Sequence, residues 1–153
     1  MNSLYIALHV LSVVIWVGGM VFAHRFLRPV VAAQLEPPQR LRLWVGIFSN
    51  FFPYVWAAII LLPATGYAMI FSIWQSMSLV PLYIHIMNGI GSLMIVIFLF
   101  VYFVPFDKLK IAVSAENWPA GGEALNRIRF LVGVNSLLGL LVIVVASGGR
   151  FLL

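Results

Sequence analysis

The stretch LWVGIFSNFFPYVWAAIILLPATGYAMIFSIWQSMSLVPLYIHIMNGIGSLMIVIFLFVYFVPF, residues 43–106, holds no Asp, Glu, Lys or Arg. A soluble domain has no use for so long a charge-free run, because every solvated face of a helix or sheet needs polar side chains. At a rise of about 1.5 Å per residue, roughly 20 residues cross a ~30 Å hydrocarbon core. The stretch is therefore long enough to cross twice, with a tight connection near Trp74 to Val80. The spacing predicts helices over 44–71 and 81–104. Pro53 and Pro63 fall inside the first of these, and each removes a backbone hydrogen bond, so bends that shape a cavity are expected there.

Outward from this stretch, residues 4–23 are apolar except for His9 and Ser12, and residues 130–147 form another apolar run closed by Gly148, Gly149 and Arg150. A cleaved signal peptide carries basic residues before its apolar core, whereas Arg25 and Arg28 follow this one, so residues 4–23 read as a retained span. The expectation is an all-α integral membrane four-helix bundle, one unit over residues 1–153, with polar linkers at 24–42 and 107–129. Composition agrees: 63% of residues are hydrophobic and 8% charged, too few polar groups to clothe a soluble fold. The apolar runs are continuous and not alternating, which favours a helical bundle over a barrel.

Charge placement sets the orientation. Arg25, Arg28, Arg40, Arg42, Lys108, Lys110, Arg127 and Arg129 all belong to the two linkers, and Arg150 alone lies at the other end. The excess of basic residues places both linkers as long cytoplasmic loops and both termini on the periplasmic side of a bacterial inner membrane. The formal charge of +5 is thus a topology signal and not the footprint of nucleic acid. Without cysteine there are no disulfides, thiolate metal ligands or covalently attached c-type haem. No serine nucleophile with a base, phosphate loop or paired carboxylate is present, so hydrolytic chemistry is not expected.

An ionisable residue inside a span is a functional hypothesis by default. His9 and His85 qualify, each lying roughly 6 to 8 Å below the outer surface. Imidazoles at matched depth on two spans are what axial ligation of a b-type haem requires, with Gly89 one turn below His85 leaving room for a ring and Trp16 two turns from His9 able to stack on it. The competing reading is that each histidine hydrogen-bonds a neighbouring helix. His24 is about 22 Å from His9 along the helix and reads as interfacial. Met20, Met69, Met87 and Met94 offer thioethers for Cu(I), although His85 and Met87, about 200° apart around a helix, cannot chelate one ion. On the fourth span, Asn135, Gly139, Val142 and Ala146 form a narrow seam, with Asn135 as interhelical glue or a cofactor-side residue. Arg127 and Arg129 read as topology anchors that could also bind an anionic head group. Trp44, Trp74 and Trp118 suit interfacial belts.

The segments LHVLSVVIWVGGMVFAHRFLRP at 8–29, FFPYVWAAIILLPATGY at 51–67, YIHIMNGIG at 83–91 and IRFLVGVNSLLGL at 128–140 resemble, as a set, the short four-span members of the CopD-like family and more distantly HemJ-type protoporphyrinogen oxidases. The resemblance implies a b-type haem or copper-associated membrane protein, with His9 and His85 where the family's spans carry histidine. The leading expectation is therefore a haem b protein, the haem held between helices one and three near the outer leaflet by His9 and His85. It would exchange electrons with a quinol, a porphyrinogen or an outer-side partner. The alternative is copper transport or resistance using the same histidines with Met20 or Met69. A third reading is a structural subunit with no cofactor, and the small-residue seams allow a homodimer.

Overall fold

The computed structural model describes residues 2–152, with the side chains of residues 3–149 and 151, so the side chain of Arg150 lies outside the described set. The elements are α1 (Asn2–Val21), a π-helical segment (Phe22–Leu27), α2 (Arg28–Gln34), α3 (Pro37–Ile73), a 3-10 turn (Met77–Leu79), α4 (Leu82–Phe103), α5 (Pro105–Ser114) and α6 (Trp118–Leu152). Helix is what a bilayer demands, since lipid offers no partner for a free N–H or C=O. Among the described residues, four stretches are long and apolar enough to cross a membrane: Ser3–Gln34, Pro37–Ile73, Leu82–Ser114 and Trp118–Gly149. The chain is a multi-pass membrane protein.

The spans overrun the expected boundaries. Helix α3 has 37 residues, about 55 Å at the usual rise and well beyond a ~30 Å core. The linkers expected as loops are almost wholly helical. Span one continues through the π segment to Gln34 and breaks only at Leu35 and Glu36, before Pro37 opens α3. Pro37 and Pro38 are compatible with this because proline at the first positions of a helix sacrifices donors that have no partner anyway. The second linker is α5 followed directly by α6. Its corner is Glu116, at φ 53°, where Asn117 N–H donates to the Ala112 carbonyl at 2.8 Å and Glu116 N–H to that of Val113 at 3.2 Å. Those bonds cap the carbonyls that α5 leaves free. Pro53 and Pro63 are both absorbed into α3.

The closest backbone packing joins α1 to α3 and α4 to α6, and the two pairs meet through α1 and α6. Spans two and three come together through rings. Trp56 meets Phe98 at 5.6 Å and Tyr102 at 5.3 Å, and Phe52 meets Phe98 at 5.4 Å and Phe106 at 4.9 Å, all within the spans' middle and basic half. Phe48 stacks between Trp44 and Phe52 at 5.3 and 5.2 Å. Edge-to-face and offset contacts at such distances add to simple burial. Toward the basic linkers spans two and three are thus joined by aromatic side chains; toward the termini they are not.

Candidate functional site

In the terminal half the four spans enclose a cavity of about 330 Å³, to which each contributes. His9 and Trp16 enter from α1, Tyr67 and Met69 from α3, Met87, Asn88 and Met94 from α4, and Gly139 from α6. The seam that α6 presents is held close by its small residues: a Cβ at Gly139 would fall 2.8 Å from Val17. One at Gly149 would fall 2.6 Å from Tyr83. The cavity exists because helices pinned this tightly on one side leave unfilled space on the other, beside Pro63 and Gly66 of α3.

His9 is fixed in orientation. Its Nδ1 lies 2.9 Å from Thr65 Oγ1, and the imidazole passes over Gly66, whose missing Cβ would sit 3.4 Å from His9 Cε1. The Thr65 hydroxyl has one proton, and the Leu61 carbonyl 2.6 Å away takes it. With that proton on the carbonyl side, toward Leu61 and the more distant Leu62 at 3.3 Å, Thr65 Oγ1 is an acceptor, and the tautomer that matches it has Nδ1 donating. Nε2 then carries the lone pair. A hydrogen bond at one ring nitrogen that fixes the tautomer and aims the other is how ligand histidines are commonly prepared.

Polar groups from facing spans meet across the same cavity. Tyr67 Oη donates to Asn88 Oδ1 at 3.1 Å, tying α3 to α4. Trp16 is 2% exposed and forms the floor, because it also lines a second cavity of about 200 Å³ deeper in the bundle. Asn135 faces that second space; its Nδ2 donates to the Met94 carbonyl at 3.3 Å, while its Oδ1, buried, has no partner. Asn135 thus ties the fourth span to the third. Met20 lines the same deeper space and is 4% exposed.

His85 and His9 are not brought together. Residues Ile84, Met87, Asn88, Gly91 and Met94 form the inner face of α4, whereas His85 is exposed and does not line the cavity. One residue is about 100° of rotation on a helix, enough to turn His85 off the face that Ile84 presents. Gly89 goes with it: it is exposed, and a Cβ there would meet nothing within 4 Å. Within one chain the paired-imidazole geometry expected for a haem between helices one and three is therefore not formed. Thr65, Tyr67 and Asn88 were not singled out from the sequence. Their signal was a set of neutral polar residues inside otherwise apolar spans, which also marks ordinary interhelical hydrogen bonding.

Among the described residues no three His, Asp or Glu side chains gather as a metal cluster. What the cavity offers instead is a lining of one histidine and three methionines, with no carboxylate. That donor set suits a soft monovalent ion and not a hard or highly charged one. Fold and cavity together define a four-span helical membrane protein with a soft-donor chamber between its spans. A family model described as CopD, copper resistance protein D, matches residues 45–148, which is more than half of the chain and covers spans two to four. The chain belongs to the CopD family. No curated protein and no solved structure matches it.

Proposed function

We propose that the protein handles copper in the membrane, taking Cu(I) into the terminal-half cavity on His9 Nε2 with thioether help from Met69 and Met87. The observation that carries this reading is the Thr65-oriented imidazole sharing one chamber with methionine side chains in a chain of the copper resistance protein D family. All of these donors are neutral, so the ion keeps its single positive charge and is held less firmly than by thiolates. That favours passage over storage. Met94 at the chamber floor and Met20 in the deeper cavity supply the next soft donors toward the basic end. With the basic linkers cytoplasmic, as their charge implies, the chamber lies on the periplasmic side of the bundle and the path leads inward.

The test is competition for Cu(I) between the purified protein in nanodiscs and a coloured chelator, with X-ray absorption reading the ligand atoms. Near-stoichiometric binding on mixed nitrogen and sulfur donors is expected, with His9→Ala weakening it by about 100-fold. A red preparation with a reducible Soret band that His9→Ala abolishes, and no Cu(I) binding, would overturn copper in favour of haem b.

A further inference from the structure

The basic end of the bundle carries an arginine cluster that copper handling does not use. Arg129 is half-buried at the foot of the fourth span, and its Nη1 donates to Asn126 Oδ1 at 3.3 Å. Its Nε and Nη2 are buried and have no hydrogen-bond partner. Those two nitrogens form one edge of the guanidinium fork, the edge that pairs with two oxygens of a phosphate or carboxylate. The neighbours make matters worse for an unpaired cation: Arg129 feels the charges of Arg28 and Arg40, both half-buried. None of the three is ion-paired among the described residues. Asp107 and Glu116 are taken by Lys110 and Arg42, and Glu36 and Glu123 are exposed without joining the cluster.

The fold brings these groups together from three segments. The π turn at Phe22–Leu27 lays His24 against the fourth span at Gly133, where a Cβ would stand 3.0 Å from its ring. Gly133 is one turn along α6 from Arg129, and His24 in turn feels the charges of Arg25, Arg28 and Arg129. Arg40 arrives from the first turn of α3. Around this polar crossing stand large apolar side chains turned outward: Phe22 at 58%, Phe26 at 64% and Phe130 at 71% exposed. Cations grouped between spans at the membrane boundary, with apolar rings beside them, match a molecule that has a phosphate head and acyl chains.

We infer that Arg129, Arg28 and Arg40 form a binding site for a phosphate group, supplied by an anionic phospholipid whose chains lie against Phe22, Phe26 and Phe130. The half-buried Arg129 side chain swings its unpaired edge onto the phosphate, and the other two guanidinium groups offset the remaining charge. The site is independent of the copper reading.

Delipidated protein is tested by thermal unfolding and by native mass spectrometry after adding phosphatidylglycerol, phosphatidylcholine or inorganic phosphate. Phosphatidylglycerol is expected to raise the unfolding temperature and to be retained, with apparent affinity falling at least tenfold in Arg129→Gln and similarly in the Arg28→Gln, Arg40→Gln double variant. Arg127→Gln, an exposed cation at the same level, is expected to bind as the parent does. Should Arg129→Gln fail to fold, Arg129→Lys keeps the charge and removes the fork, and is expected to show the same loss of retention. Stabilisation by inorganic phosphate alone, lost in the same variants, supports the site and assigns it to a soluble phosphate. Equal retention of phosphatidylcholine, or equal losses in Arg127→Gln and Arg129→Gln, overturns it.

Discussion

The two halves of this bundle are built from the same four helices and packed by opposite rules. Toward the basic linkers, rings from Trp44, Phe48, Phe52, Phe98, Tyr102 and Phe106 join spans two and three, beside the smaller of the two cavities. Toward the termini the same two spans stand apart around a chamber holding an imidazole, thioethers and a tyrosine-asparagine hydrogen bond. Lipid is as apolar as a leucine core, so water gives no drive for closing such a gap, and packing alone decides where helices touch. The aromatic contacts therefore hold these two spans together at the basic end, which leaves them free to part around the larger cavity at the other.

Mutations that act on one half and spare the other test that division. The largest effect is expected from Phe106→Ala, which removes a ring 3% exposed that contacts Phe48, Phe52 and Tyr102. A loss of about 3 kcal/mol is expected in equilibrium unfolding, with Cu(I) affinity unchanged. His9→Ala is the mirror case, with about 100-fold weaker Cu(I) binding, some 2.7 kcal/mol, and little change in unfolding. Thr65→Val keeps the shape and removes the acceptor that orients His9. Chelator competition should show Cu(I) affinity reduced by about tenfold, with Thr65→Ser restoring it. At the bottom of the scale, His85→Ala and Gly89→Ala fall on the exposed face of α4, so both affinity and stability should stay within about 0.5 kcal/mol of the parent. If His85→Ala matched His9→Ala, the division into a working chamber and an outward face would be wrong.

The spans were legible because a residue such as Arg42 or Asp107 is intolerable inside a bilayer, so the charge-free stretch between them announces itself. Their ends were not. Residues 24–34 and 107–114 are polar enough to read as loop, yet they continue as helix because the chain leaving the membrane keeps its hydrogen bonds by winding on. The site was half legible for a related reason. His9, Trp16 and Asn135 stood out as polar or bulky groups in apolar spans, and all three line the interior cavities. His85 stood out equally and faces away. A soluble helix would have revealed its inner face by alternating with polar residues. Helix α4 carries polar residues on two faces, His85 on one and Asn88 on the other, so its sequence does not tell Ile84 from His85 as the inward position.

The uneven contact between spans two and three has a mechanical meaning. They are gripped by rings near Phe52 and latched near Tyr67, and the 15 residues between these points are about 22 Å of helix. Such a pair works like tongs with the pivot at the aromatic end. By leverage alone, a tilt of roughly 5° there would move the tips by about 2 Å, enough to part the Tyr67–Asn88 hydrogen bond.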